Sequence, residues 1–177
     1  KSFYLNRGYL DFSIESTQVA ITPNKEDIYI TVNVLEGERY TLSEVKLAGE
    51  LLGLDTELRE LVDVKPGEVF NLERLNAVSK RITDRMGMLG YAFANANVVP
   101  EPNRSNREKH EVSVTFFVDP GRRAYVRRVN VFGNTRTRDD IVRREVRQYE
   151  SAWYDAEKVR LSRDRIDRLG FFEKVEV

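Results

Sequence analysis

The chain has 177 residues, and its 29 basic and 29 acidic side chains cancel, so no net field draws in nucleic acid or an anionic membrane. With no cysteine and one histidine, disulfides, thiol catalysis and thiolate metal sites are excluded. A hydrophobic content of 41% is enough for packed cores, and no apolar run approaches the roughly 20 residues of a membrane helix, so this segment is expected to be soluble.

In chain order, "LNRGYLDFSI" reads as a helix end at Gly8, an aromatic at Tyr9, and then a strand over Asp11 to Ile21. Phe12 and Ile14 share one face of it. Val19 and Ile21 lie on the other, so the phase slips near Ser16-Thr17-Gln18, as a β-bulge requires. A second strand is expected over Ile28 to Leu35, and a short linker holding Gly37 over Glu36 to Arg39. Tyr40 to Leu47 is the next strand, with Val45 and Leu47 on one face, released into a turn by Gly49. A short helix follows around Thr56 to Val62, then a loop turned by Pro66-Gly67. Asn71 is placed to cap a longer helix. Its Leu72, Leu75, Val78, Ile82, Met86 and Leu89 recur at three- and four-residue steps, the mark of one buried stripe. Gly90 stands where a helix end needs a left-handed residue. Tyr91 to Val99 is expected to be a strand, "PEPNRSNREKH" a polar hairpin, and Val112, Val114, Phe116 and Val118 the inward row of another strand. After a linker over Pro120 to Arg123, the remainder predicts one strand and a helix with a capping box at Thr137 and Asp140. Trp153 is expected in a core, followed by a helix from Asp155 and the start of a further strand after Gly170.

Read end to end, the chain repeats itself. Gly8-Tyr9 and Gly90-Tyr91 stand 82 apart, Gly90 and Gly170 stand 80 apart, and Gly37/Gly121 and Gly49/Gly133 are both separated by 84. The unit is about eighty residues of order β-α-α-β-β, an α+β fold with a small three-stranded mixed sheet and two helices on one face. Residues 39–122 form a complete unit, 1–38 the C-terminal part of one, and 123–177 the N-terminal part of another. Short glycine-containing linkers imply limited motion between units. The last unit lacks its third strand, and is expected to be less stable alone or to borrow an edge from a neighbour.

The eighty-residue unit, the helix-ending "LGY" and "LGFFEKVEV", and "VRRVNVFGNTRTRDDIVRREV" resemble POTRA domains. Within that group the whole chain is similar to the periplasmic array of the BamA family of outer-membrane barrel-assembly proteins. The match runs over the end of the third POTRA domain, the fourth, and the start of the fifth. The resemblance implies a location on the periplasmic side of the Gram-negative outer membrane and a membrane β-barrel C-terminal to this window. It implies as partners accessory outer-membrane lipoproteins and unfolded outer-membrane proteins. A related two-partner secretion or translocation-assembly transporter is the nearest alternative. A general periplasmic polypeptide-binding module is the alternative of another class.

Two surfaces stand out. A small sheet keeps open edges, and an open edge docks extended peptides by strand addition. The resemblance places such a docking strand at the edge holding Gln18, Val19, Ala20 and Ile21. The other surface is Glu145 with Arg143 and Arg144. At the 84-residue offset Glu145 falls on Leu61, so an acid replaces an apolar residue. Either this helix is rotated and Glu145 is solvated, or the acid is kept for a salt bridge, for which Arg143, Arg144 and Arg147 are the neighbours; the resemblance implies instead that it faces a lipoprotein. Tyr9, Tyr91 and Phe171 are expected to pack beneath helix ends, and for Trp153 the resemblance offers contact with the barrel's periplasmic rim as the alternative to a core position. No enzyme is expected: His110 stands alone, no carboxylate pair is marked out for acid–base work, and no phosphate loop, cofactor motif or metal set is present.

Overall fold

The structure is a computed structural model, and it describes residues 1–103 and 109–177; the expected hairpin over 100–110 therefore lies partly outside the described residues. The elements run α1 (Ser2–Leu5), β1 (Ser13–Ile21), β2 (Ile28–Leu35), β3 (Thr41–Gly49), α2 (Asp55–Glu60), α3 (Leu72–Met88), β4 (Asn95–Pro102), β5 (Glu111–Asp119), β6 (Tyr125–Val126), α4 (Asp139–Glu145), β7 (Ala152–Trp153) and α5 (Ala156–Asp167). Residues 40–121 thus follow the β-α-α-β-β order that periodicity predicts. Its sheet has the strand order β3-β5-β4, so the third strand of the repeat is the central one.

The chain groups into two compact units. The first comprises Lys1–Ala48, Val62–Val78 and Val98–Phe116. Within it, Leu42, Phe70, Leu75, Val78, Val112, Val114 and Phe116 are buried. Asn71 caps α3 as expected, its Oδ1 accepting from the Arg74 N–H at 3.0 Å. β1 and β2 pair antiparallel from Ser13↔Leu35 to Ile21↔Ile28, with a register shift between Ile14 and Ser16. The bulged residue is therefore Glu15, one position before the expected slip. At the foot of β1, Tyr4 stacks on Phe12 with centroids 4.0 Å apart. Its hydroxyl donates to Glu36 Oε1 at 2.8 Å. That bond, followed by desolvation and the Glu36 charge, raises the Tyr4 pKa above its ordinary value.

The second unit comprises Gly49–Leu61, Ser79–Asn97 and Phe117–Val177. Leu58, Ile82, Met86 and Val118 are buried in it, as are Val142 on α4 and Ile166 on α5. Gly90 takes φ +103°, the left-handed helix end that its position requires. Asp155 caps α5, accepting from the Glu157 and Lys158 N–H groups at 3.0 and 3.2 Å. Four expectations fail here. The strand expected from Tyr91 begins at Asn95, because the Gly90 helix end is followed by a turn closed by the Ala94 N–H on the Tyr91 carbonyl at 3.2 Å. The N-cap of α4 is Arg138 with no side-chain cap, so Thr137 and Asp140 form no capping box; instead the Thr137 carbonyl accepts from Asn134 Nδ2 and Asp140 pairs with Arg138, both at 3.0 Å. Trp153 is 50% exposed: it lies on β7, edge-to-face with Tyr125 and 4.5 Å beneath the Arg123 guanidinium. Phe171 is 61% exposed and packs under no helix end.

The strands expected in 123–177 are the fourth failure's larger counterpart. Only Tyr125–Val126 is paired, to Ala152–Trp153, and 171–177 form no strand. The sheet order explains this. First and second strands of a repeat flank the third and never touch each other, and 123–177 contain no third strand. Between the two unpaired segments runs an apolar groove of about 570 Å³, walled by Val131, Val142, Ile166, Phe172 and Val175, the place a central strand would take. The glycines record the same difference. A Cβ on Gly49 would stand 2.1 Å from the Val118 carbonyl oxygen of β5, whereas one on Gly133, 84 residues later, meets nothing.

Two outcomes follow for measurement. Phe116→Ala empties the middle of the central strand and should cost about 3–5 kcal/mol in urea denaturation. In hydrogen–deuterium exchange, amides of 127–132 and 172–177 should exchange much faster than those of β5, since unpaired segments open at little cost.

Candidate functional site

Strand β1 owes its accessibility to sequence and position together. The 84-residue offset lays β2 on β5, matching Ile28, Ile30, Val32 and Val34 to the buried Val112, Val114, Phe116 and Val118. β1 then matches β4, the outer strand of the complete sheet. Its outward edge is one that the repeat leaves open even when whole. Val19 and Ile21 stand opposite Ile30 and Ile28, on the face whose counterpart in the complete repeat is buried, so what 18–21 offer at the edge is backbone. The bulge at Glu15 is pinned by Asn33 Nδ2 donating to Ser16 Oγ at 2.8 Å, which separates the strand's foot from its accessible end. Backbone donors and acceptors along 18–21 are thereby presented at an edge that β2 does not occupy.

The α4 cluster does not form the local ion pair that the neighbouring arginines suggest. Glu145 accepts at Oε2 from Arg165 of α5, at 2.8 Å from Nε and 2.7 Å from Nη2; it does not pair with Arg143, Arg144 or Arg147. Its side chain is largely covered while that of Arg165 is more open. Arg143 instead binds Asp139 one turn back, donates to the Val129 carbonyl at 3.1 Å and lies 3.8 Å from Glu150. Arg147 donates to the Arg144 carbonyl at 3.3 Å. The Arg144 side chain is exposed and makes no ion pair among the described residues. Leu61 fills the equivalent position with an apolar group. Glu145 uses it for a bridge between two helices.

Two buried polar residues that sequence reasoning passed over hold that cluster together. Gln148 donates through Nε2 to the Tyr149 and Trp153 carbonyls at 3.2 and 3.1 Å, and accepts from the Asp155 N–H at 2.8 Å. Ser162 Oγ accepts from the Arg147 N–H at 2.7 Å and donates to the Lys158 carbonyl at 2.6 Å. Together they fasten the exit of α4 to the first turns of α5. The only signal in the sequence was the Asp155 cap, since the other partners are backbone groups. The described residues contain no cluster of metal-ligating side chains, and no helix among them is long and apolar enough to cross a membrane.

A family model described as "POTRA: Surface antigen variable number repeat" matches residues 1–37, 40–121 and 124–177. The chain belongs to the POTRA family. Among curated relatives, the outer membrane protein assembly factor BamA of Neisseria meningitidis serogroup B is 38% identical over 175 residues, 98% of this chain and 22% of the relative. BamA of Neorickettsia risticii is 32% identical over 178 residues, 99% of this chain and 23% of the relative. The chain thus spans less than a quarter of either. Among solved structures, Haemophilus influenzae BamA POTRA3-5 superposes with a TM-score of 0.90 at 35% identity, covering 99% of this chain and 68% of that one. BamA of Haemophilus ducreyi lacking POTRA domains 1–3 gives a TM-score of 0.65 at 38% identity, over 77% of this chain and 25% of that one. The POTRA repeats described here are therefore of the BamA kind, scaffold modules in the periplasm at the outer membrane.

Replacing Gln148 with Ala should leave the Asp155 N–H and the Trp153 carbonyl without their partner. The cost of such orphaned groups is roughly 1–3 kcal/mol, readable as a lower melting temperature and faster amide exchange at Asp155.

Proposed function

We propose that this POTRA segment is a periplasmic docking scaffold of an outer-membrane β-barrel assembly and insertion factor. It binds accessory outer-membrane lipoproteins and unfolded outer-membrane proteins, partly by strand addition along Gln18, Val19, Ala20 and Ile21. Arg143, Arg144 and Glu145 form a second, charged contact on α4. The division into 1–38, 39–122 and 123–177 belongs to the same reading, each surface lying in a different repeat. One observation carries it: β1 holds the outer-strand position of the repeat, paired with β2 on one side and with an open backbone edge on the other. Main-chain hydrogen bonds at such an edge accept many sequences, which suits a site that receives different extended chains.

The Glu145–Arg165 bridge sharpens the second contact. A carboxylate already held by one arginine contributes little as a bare charge, and the arginine end of this pair stays open to solvent, which screens it. On this reading Arg165 holds the Glu145 carboxylate in place as a direct contact, beside the exposed cation of Arg144.

The test is capture of purified candidate lipoproteins, each assayed separately, on immobilised wild type and variants. Proline at 19 and, separately, at 20 should abolish capture of one of them, because successive N–H groups point to opposite edges and one of the two must face the partner. Glu145→Lys should weaken a different one, and the swap Glu145→Lys with Arg165→Glu should fail to restore it. Full restoration by the swap would make the pair purely structural. Retention of every lipoprotein by folded proline variants would remove the edge from the proposal.

A further inference from the structure

Two junctions of the chain share one backbone frame. At the first, the Tyr40 N–H donates to the Gly8 carbonyl at 2.8 Å and the Tyr40 carbonyl accepts from the Phe70 N–H at 3.0 Å. At the second, the Ala124 N–H donates to the Gly90 carbonyl at 2.8 Å and the Ala124 carbonyl accepts from the Tyr154 N–H at 3.0 Å. Tyr40 and Phe70 each stand 84 residues before their counterparts. Gly8 and Gly90 both have positive φ, and an added Cβ would stand 2.9 Å from Arg39 Cγ in one case and 2.7 Å from Arg123 Nε in the other. Each helix-ending glycine therefore receives the first strand of the next repeat, with an arginine stem over it.

Both backbone bonds pass through one residue, so by themselves they leave rotation about that residue open. Resistance to rotation needs a contact off the axis, and here the junctions diverge. At the first, Asn6 Oδ1 accepts from the Glu73 N–H at 3.1 Å and Asn6 Nδ2 donates to Glu73 Oε2 at 3.0 Å. The end of one repeat's helix thus closes the first turn of the next repeat's helix, where N–H groups lack internal partners. At the second, α5 is capped by its own Asp155, and the residue corresponding to Asn6 is Met88. The off-axis contact there is Arg123: Nε donates to the Leu89 carbonyl at 2.9 Å, and the guanidinium lies over Trp153. An arginine at a helix C-terminus satisfies an orphaned carbonyl and complements the dipole, and its face on an indole adds a cation–π contact. That interaction also accounts for Trp153 lying at the surface.

We propose that Asn6 and Arg123 are positioning residues, each setting the angle of one junction independently of the other. Because the chain has no cysteine, introduced pairs can be spin-labelled without background. Thr31→Cys with Asn76→Cys reports the first junction, and Asp84→Cys with Asp164→Cys reports the second; all four positions are exposed. By double electron–electron resonance, Arg123→Ala should at least double the width of the 84–164 distance distribution and leave 31–76 unchanged. Asn6→Ala should do the reverse. Should Arg123→Ala fail to fold, Arg123→Met keeps the stem over Gly90 and removes the donor and the charge, and should broaden the same distribution. Unchanged widths in folded variants would overturn the proposal. So would broadening of both distributions by either single substitution, which would mark general loosening and not a junction-specific clamp.

Discussion

Placing the last strand of each repeat in the middle of its sheet is the constraint on which the rest of this structure depends. In β3-β5-β4 the first and second strands never meet, so both wait on β5 for their ladder hydrogen bonds, and a buried, unpaired backbone group is costly. β5 carries the buried row Val112, Val114, Phe116 and Val118, so the element that closes the ladder also closes the core. The same rule accounts for both flanks. β1 and β2 are a second and a third strand and pair over their whole length. Residues 125–132 and 172–177 are strand-like sequences separated by a groove, with pairing only at Tyr125–Val126 among the described residues.

That arrangement also determines where a partner strand can be received. Whatever else is present, the second strand of every repeat is an outer strand, and an outer strand offers unpaired donors and acceptors. In β4 the exposed edge belongs to a sheet whose other face is filled. In β1 it lies beside Val19 and Ile21, with the Glu15 bulge just before it. Backbone pairing is tolerant of sequence, whereas the charges on α4 are specific in direction. On the proposed reading, the charged contact suits a constant component and the strand edge a varied one.

Zero net charge does not mean an uncommitted surface. Asp139–Arg143, Glu145–Arg165 and Glu57–Arg85 each link successive turns or different elements. Individually such pairs contribute little stability. Their effect is to orient helices, and the junctions extend it: Asn6 on Glu73 and Arg123 on Leu89 and Trp153 are polar contacts laid over a backbone frame that is the same at both sites.

Local chemistry in the sequence was sufficient for several features. The α3 stripe, the Asn71 cap, the start of α5 near Asp155, the Gly90 helix end and both bounds of β2 depend on residues within a turn or two of each other, and periodicity or side-chain type reveals them. The eighty-residue repeat was legible because its glycines are required by backbone conformation and so recur at fixed spacing. Three things were not legible. Thr137 with Asp140 has the spacing of a capping box, yet Arg138 takes the cap position. Glu145 sits among three arginines and pairs with a fourth, Arg165, twenty residues away. Trp153 has the composition of a core residue and is held at the surface by Arg123. Sequence by itself determined the repeat, its helices and the Asn71 cap, because those are short-range matters of conformation and periodicity. Tertiary structure alone decided which strand-like segments become strands and which arginine each carboxylate meets, because a β-ladder and an ion pair exist only when a partner distant in the chain arrives.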